Sequence, residues 1–164
     1  SVLWDLTTTT NANVGNITSE ATVGMLPNGD WKVFVGNGYN STNGTASLLM
    51  IDVATGAITA IGTDSRTDNG LGGIKVVRNA RQQVVAIYAG DLYGRIWRFE
   101  YNSTSGTMVT GYGGSPLFTA TDSSGTASET VMPKSSSAGS RGCLAPAVSS
   151  YRPIVSVSRR PLRR

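Results

Sequence analysis

The chain has 164 residues, of which 39% are hydrophobic and 15% are charged, and its formal net charge is +4. This length fits one domain or a piece of a larger one, and the composition is too neutral and too apolar for a charged disordered chain. The sequence has no histidine and a single cysteine, Cys143. This excludes histidine-dependent catalytic triads, histidine-ligated metal sites and intrachain disulfides. No apolar run approaches the ~20 residues that a membrane-spanning helix needs.

One predicted strand covers residues 30–36. Trp31, Val33 and Val35 fall on one face of this segment. Phe34 and a lysine fall on the other face, and this alternation predicts a strand with one face more fully buried than the other.

A bend and a hairpin are predicted to follow. Residues 36–41 are rich in glycine and asparagine, which tolerate the positive φ values of a tight bend. Residues 46–53 are apolar on both faces, as expected of a central strand. Residues 54–56 then turn the chain and residues 57–61 return, with Gly56 at the left-handed position of a hairpin turn.

The same order of elements recurs further along the chain. Residues 84–90 predict a strand, residues 91–94 a four-residue turn, and residues 95–101 a strand with alternating large apolar side chains. A turn at residues 105–106 leads into a further strand at residues 107–110. No segment sustains a helical period, so we expect almost no helix.

The spacing of this repeat indicates a fold. Gly36 matches Gly90 at an offset of 54 residues, and Gly56 matches Gly106 at an offset of 50 residues. Strand-turn-strand repeats of this period are typical of four-stranded β-propeller blades. We therefore predict an all-β, incomplete β-propeller of about two four-stranded antiparallel blades, preceded by a strand at residues 3–6 that closes an earlier blade. The alternative is a self-contained β-sandwich.

Missing blades have a physical consequence. Two blades cannot close a ring, and open blades expose unpaired strand edges and apolar faces. We expect the chain to be a piece of a larger propeller. In isolation, it is expected to unfold broadly and to self-associate.

Charge divides the chain near residue 133. Residues 1–133 contain all ten acidic residues and carry a net charge of −3, whereas residues 134–164 have no acidic residue. We predict a partial propeller over 1–133 and a Ser/Arg/Pro-rich tail over 134–164, disordered or aberrant through truncation or a frame change. A basic arm for nucleic acid or anionic lipid is the alternative, but no aromatic ladder supports it. The basic residues of the tail are Lys134, Arg141, Arg152, Arg159, Arg160, Arg163 and Arg164.

One carboxylate pair is a candidate acid–base site. Asp91 lies in the 91–94 turn, and Glu100 lies nine residues further along. We expect Asp91 instead to accept backbone N–H bonds and fix the turn, with Gly94 as its left-handed partner. Nothing in the spacing makes the two carboxyl groups converge, so we predict no catalytic residue.

A second acidic cluster lies in a predicted loop. Asp64 and Asp68 are candidates for a weak cation site, but Arg66 lies between them and favours a solvated loop. The glycine-rich segments 36–38 and 70–73 are not followed by a helical pattern, so they are no dinucleotide fingerprint. The aromatic residues are candidates for a sugar platform, but we expect most of them to pack between blades. They are Trp4, Trp31, Phe34, Tyr39, Tyr88, Tyr93, Trp97 and Phe99.

Two longer motifs carry a resemblance. They are VFVGNGYNS at residues 33–41 and IYAGDLYGRIWRF at residues 87–99, supported by shorter matches at residues 3–4, 14–16, 26–31 and 69–73. Through about residues 1–122, the sequence resembles the C-terminal β-propeller of PilC/PilY-type proteins. These are type IV pilus biogenesis factors and tip adhesins of Gram-negative bacteria.

The resemblance implies a non-enzymatic protein of the cell surface, outer membrane or pilus tip. Its implied role is to regulate pilus extension and surface attachment through protein–protein contacts. The implied partners are minor or major pilins, the host surface and the missing blades of the full-length protein. Neither nucleic acid nor a membrane-spanning segment is implied.

The resemblance also implies a calcium loop, which maps here to Val77, Asn79, Arg81, Gln83 and Val85. Calcium needs oxygen ligands that are mostly carboxylates, and this stretch has none. We therefore predict no metal site and no cofactor in this segment.

The end of the sequence departs from the family pattern. After Asp122 the family pattern of a further blade gives way to serine, arginine and proline.

Two alternative functions are considered. One is a fragment of a quinoprotein-like propeller dehydrogenase, which requires a closed ring and a metal carboxylate cluster. The other is a carbohydrate-binding propeller.

Overall fold

The computed structural model describes residue 4, residues 11–121 and residue 125 of the chain. It is all-β, with nine strands in two antiparallel sheets. The predicted tail over 134–164 and Cys143 lie outside the described residues, as does the predicted strand at 3–6 apart from Trp4. Within the described part, no helix is long and apolar enough to cross a membrane.

The first sheet contains four strands in sequential order. They are β1 (Thr22–Met25), β2 (Trp31–Gly36), β3 (Ser47–Asp52) and β4 (Ile58–Gly62), and each pairs antiparallel with the next. β3 is flanked on both sides and buried along nearly its whole length, which confirms the predicted central strand. Gly56 has a φ of 74° in the turn before β4, as predicted.

The second sheet repeats this order. Its strands are β5 (Leu71–Arg78), β6 (Val84–Asp91), β7 (Arg95–Asn102) and β8 (Thr107–Thr110), followed by β9 (Phe118–Thr119). β8 and β9 both pair with β7, at opposite ends of that strand, and a short 3-10 turn at Tyr112–Gly114 separates them. The two like-built sheets confirm the prediction of two four-stranded modules.

The main core lies between the two sheets. Phe34 and Leu48 face it from the first sheet, and Trp97, Phe99 and Ile87 face it from the second; all are fully buried. Burying one side chain of this size stabilises the fold by roughly 1.5–3 kcal/mol. The packing of Phe34, Trp97 and Phe99 confirms the expectation that these aromatic residues lie between blades.

The opposite face of the first sheet forms a smaller cluster. Val35, Leu49 and Ile51 are buried there, and Trp4 and Val14 pack against them. The indole N–H of Trp4 donates to the Val53 carbonyl at 2.7 Å. The N-terminal segment thus covers this face at Trp4.

Trp31 lies at the uncovered end of that face. Its side chain is 56% exposed, unlike the buried aromatic residues of the core. Trp31 is therefore not among the aromatic residues that pack between blades, because the cover supplied by Trp4 and Val14 lies over Val35 and its neighbours.

Candidate functional site

Two buried polar side chains occupy equivalent positions in the two sheets. Asn37 directly follows Gly36 at the end of β2, and Asp91 directly follows Gly90 at the end of β6. The Asn37 Oδ1 atom accepts the backbone N–H of Ser47, the first residue of β3, at 3.0 Å. Asp91 Oδ1 accepts the N–H of the first residue of β7, also at 3.0 Å. We call Asn37 and Asp91 the node residues.

Asn37 joins three segments of the chain. Its Nδ2 atom donates to the carbonyls of Asn13, at 3.0 Å, and Thr45, at 2.8 Å. Its Oδ1 atom also accepts the N–H of Leu71, the first residue of β5, at 2.9 Å. A buried amide that makes four hydrogen bonds carries no desolvation penalty for an unpaired group. Asn37 therefore ties the N-terminal segment and both sheets together.

Asp91 makes the corresponding bonds within the second sheet. Its Oδ1 atom accepts the backbone N–H of Tyr93 at 3.0 Å. Its Oδ2 atom accepts the Trp97 indole N–H at 2.9 Å and the Asn69 amide at 3.2 Å. Gly94 has a φ of 68°. The prediction that Asp91 fixes the 91–94 turn is confirmed.

These bonds keep Asp91 ionised. Burial acts to raise its pKa, but the bonds from the Trp97 indole, the Arg95 backbone and the Asn69 amide outweigh it, and the pKa lies below its ordinary value. A general acid at neutral pH needs the opposite shift. Glu100 lies opposite Ala86 in the register, well down the strand from Asp91. The two carboxyl groups therefore do not form an acid–base pair.

Arg95 links Asp91 to the first sheet. Its guanidinium pairs with Asp91 Oδ2 at 2.7 Å and with both carboxylate oxygens of Asp64, which follows β4. The side chain is 6% exposed and lies 4.9 Å from the centre of the Trp97 ring. Burial acts to lower the pKa of Arg95, but its bonds to Asp64 and Asp91 leave that pKa above the ordinary value. Arg95 is thus a buried cation held between two carboxylates.

The connection at residues 63–70 is fastened to the 91–94 turn. The Tyr93 hydroxyl donates to the Thr67 carbonyl at 3.0 Å, and Asn69 Oδ1 accepts the Leu92 N–H at 3.1 Å. The expectation of a solvated loop is wrong for Asp64, because Arg95 recruits it from 31 residues away. Arg66 is exposed and stacks over Tyr93 at 5.4 Å.

The glycines of the two glycine-rich segments, 36–38 and 70–73, allow the sheets to approach. A Cβ atom on Gly36 would lie 2.1 Å from the Gly72 carbonyl oxygen. A Cβ atom on Gly70 would lie 2.1 Å from the Gly38 carbonyl oxygen. Real Cβ atoms do not approach that closely, so these glycines serve close backbone packing.

The segment to which the calcium loop implied by the resemblance maps is a tight turn between β5 and β6. Asn79 Oδ1 accepts the backbone N–H groups of Arg81, at 2.9 Å, and Gln83, at 3.0 Å. The Asn79 amide also donates to Gln83 Oε1. Among the described residues, no group of three or more His, Cys, Asp or Glu side chains could hold a metal ion. The expected absence of a calcium site here remains a prediction.

Two tandem antiparallel sheets with a shared core define a partial β-propeller. A family model described as the PilY1 beta-propeller domain matches residues 7–143. The chain belongs to this family, which confirms the resemblance drawn from residues 33–41 and 87–99.

Curated relatives and a solved structure agree with this assignment. The type IV pilus biogenesis factor PilY1 of Pseudomonas aeruginosa strain PAO1 is 36% identical over 147 residues, covering 77% of this chain and 13% of that protein. A PilY1 homolog of Xylella fastidiosa is 32% identical over 121 residues, covering 73% of this chain and 9% of the homolog. The crystal structure of the Pseudomonas aeruginosa PilY1 C-terminal domain matches with a TM-score of 0.67 and 34% identity, covering 76% of this chain and 30% of that one. The chain thus spans a small part of the length of these relatives.

Proposed function

We propose that this chain forms part of the propeller of a type IV pilus biogenesis factor and acts without catalysis, through contacts with other proteins. The observation that carries the proposal is the family match over residues 7–143, together with relatives named as pilus biogenesis factors. The chemistry of the site supports it. Asp91 is held ionised by its bonds, and Arg95 is held between two carboxylates, so both serve the fold.

The proposed partners are pilus components, either minor or major pilins, and the host surface. We place the contacts on loop residues at the ends of the sheets, because loops on a rigid scaffold carry most binding functions. Tyr39, in the bend after β2, is 39% exposed and is one such residue. By these contacts the propeller would regulate pilus extension and attachment at the cell surface.

The proposed organisation keeps the boundary drawn from composition. Residues 1–133 form the partial propeller, and residues 134–164 form a basic tail with no acidic residue. The proposed location is the outer membrane or the pilus tip.

A chimera tests the proposal. Residues 11–121 would replace the matching segment of PilY1 in a Pseudomonas aeruginosa strain that lacks its own copy of that protein. Because the two segments share a fold, we expect the chimera to restore surface pili, measured as pilin sheared from cells, and surface motility.

Deleting the same segment is the matched control and should leave the strain without pili. The proposal fails if the chimera reaches the cell surface in the same amount as unmodified PilY1 but restores neither pili nor motility.

A further inference from the structure

One edge of the first sheet directs backbone groups away from the sheet. Among the described residues, β4 pairs with β3 and with no further strand. The backbone N–H of Asp52 donates to the Ala57 carbonyl at 2.9 Å, which marks a hydrogen-bonded pair just before β4. Such pairs alternate along an antiparallel ladder, so every second residue of β4 directs its N–H and C=O away from β3. We call these outward groups, on Ile58, Ala60 and Gly62, the β4 edge.

The β4 edge accepts a bond where a donor lies close. The Gly62 carbonyl accepts the Thr110 hydroxyl of β8 at 2.7 Å. In the described part of the chain, no backbone bond joins the outward groups of Ile58 or Ala60 to a turn, a loop or a further strand. These two residues therefore offer two donors and two acceptors at the two-residue spacing of a strand.

β4 lacks the features that protect other edge strands. Proteins block such strands with charge, proline, a bulge or shortness. β4 has five residues, none of them charged or proline, and its register against β3 is unbroken. By contrast, β5 carries Lys75 and Arg78 and has two register shifts. The Arg78 guanidinium also covers the Val23 carbonyl of β1 at 2.9 Å.

The internal repeat shows the same contrast. The offset of 50 residues that matches Gly56 with Gly106 places Ala60 on Thr110. β8 ends at Thr110 after four residues, and a 3-10 turn follows at Tyr112–Gly114. The strand of the second sheet that corresponds to β4 is therefore cut short, whereas β4 stays straight and open.

The β4 edge stays accessible in a complete propeller. Neighbouring blades pack face to face, and the two faces of the first sheet are those that bury Phe34 and Val35. The two sheets approach closely where Gly36 of β2 meets the Gly72 carbonyl of β5. This contact places β4 on the side away from the propeller axis. Further blades would cover faces and leave this edge exposed.

The side chains of β4 define the chemistry of an added strand. Ile58 and Ala60 pack against the smaller cluster on one face of the sheet. Thr59 is exposed on the other face. Because cross-strand side chains lie about 5 Å apart, an added strand would meet apolar neighbours on one face and a hydroxyl on the other. A matching segment has no charge and alternates β-branched apolar residues with hydroxyl residues.

We propose that the β4 edge binds an extended, uncharged segment of another protein as an antiparallel fifth strand. Backbone bonds to Ile58 and Ala60 supply the affinity, and the alternation of side chains supplies the specificity. The inference rests on the proposed function only in that the partner is a protein. Its test uses the purified chain and no pili, so its failure would leave the proposed role in pilus biogenesis standing.

Fluorescence anisotropy with the full chain tests the proposal. The probe is a synthetic peptide of about eight residues in which valine and threonine alternate, with the dye and a solubilising group at one end. We expect saturable binding. Ala60→Pro removes an outward N–H and leaves the ladder with β3 in place, so it should weaken binding at least about tenfold.

Methylation of the peptide backbone is the decisive step. One peptide is N-methylated at its valines and another at its threonines, so each loses the N–H groups along one of its two edges. Only one edge of an added strand faces β4. One methylated peptide should therefore lose at least about tenfold in affinity, while the other changes by less than about twofold. This arm uses the unchanged chain, so it does not depend on how proline affects folding.

Val23→Pro is the matched control. It places proline on β1, at the opposite edge of the same sheet, where the side chain is exposed. Peptide binding should be unchanged, and circular dichroism should show both proline variants folded. If Ala60→Pro fails to fold, the methylated peptides decide alone. A chain that does not bind the peptide, binding by a folded Ala60→Pro that equals the unchanged chain, or equal effects of the two methylations would each overturn the proposal.

Discussion

At the scale of residues, the node residues fix the connections between β2 and β3 and between β6 and β7 by their hydrogen bonds. Asn37 and Asp91 share a position in the repeat, but one is neutral and bonds across the sheets while the other is ionised and holds Arg95. The difference follows from the partners: Asn37 accepts and donates to backbone groups, whereas Asp91 accepts from donors on all sides.

Asn37→Ala should destabilise the chain by about 2–3 kcal/mol, because the Leu71 and Ser47 N–H groups lose a buried acceptor. The measurement is the shift of the urea midpoint. Asn43→Ala is the control, since Asn43 makes its side-chain bond at an exposed position. A shift no larger than that of the control would contradict the role given to Asn37.

Asp91→Asn should destabilise the chain by about 3 kcal/mol, because the buried Arg95 then loses its fully buried carboxylate partner and keeps only Asp64. Asp64→Asn is the comparison and should have a smaller effect, since the Asp64 side chain is 28% exposed. If urea denaturation gave the same loss of unfolding free energy for both variants, burial would not set the strength of these ion pairs.

The pH dependence follows from the lowered pKa of Asp91. Because the folded-state pKa lies below the unfolded value of about 3.9, the stabilisation is present above that pH and is lost as the pH falls through the folded-state pKa. We expect the urea midpoint to fall below about pH 4, and to fall less steeply in Asp91→Asn. If the urea midpoints of the unchanged protein and of Asp91→Asn fell in parallel between pH 7 and strongly acidic pH, Asp91 would not be a source of the pH dependence of stability.

At the scale of elements, the predictable strands are those with clear alternation or unbroken apolar runs. β2, β3, β6 and β7 were identified on that basis. β1 and β5 were not, because β1 has four residues and β5 begins Leu-Gly-Gly, so neither has a recognisable period. Both are edge strands, which tolerate weak patterns because a single neighbour fixes their register.

The candidate site was predictable in part. Asp91 as a turn-fixing residue follows from its place before a left-handed glycine, and the Gly36–Gly90 offset could have paired it with Asn37. The Arg95–Asp64 contact could not be found in this way. It spans 31 residues and depends on how the connection at 63–70 folds over the second sheet.

The close approach of Gly36, at the end of β2, to the start of β5 gives a testable prediction. Gly36→Ala should disturb the approach of β5 to β2, because its Cβ atom would meet backbone oxygen at 2.1 Å. Gly62→Ala at the end of β4 is the matched control, with no atom within 4 Å of the added Cβ. The melting temperature should fall strongly in Gly36→Ala and little in Gly62→Ala. Similar melting temperatures for the two variants would refute the close approach at Gly36.

At the scale of the whole molecule, two copies of one β module share a core and leave one packing face uncovered among the described residues. The relatives are several times longer than this chain. Its buried polar residues, Asn37, Asp91 and Arg95, are committed to contacts within the fold.

We infer that the buried charges of Asp91 and Arg95 hold the propeller together and perform no reaction. The direct measurement is Asp91→Asn in the PilY1 chimera, scored as surface pili per unit of exported protein. The account predicts that protein amount and pili fall together, so that their ratio is unchanged. Full export with pili lost would show that Asp91 has a role beyond the fold and would contradict the account.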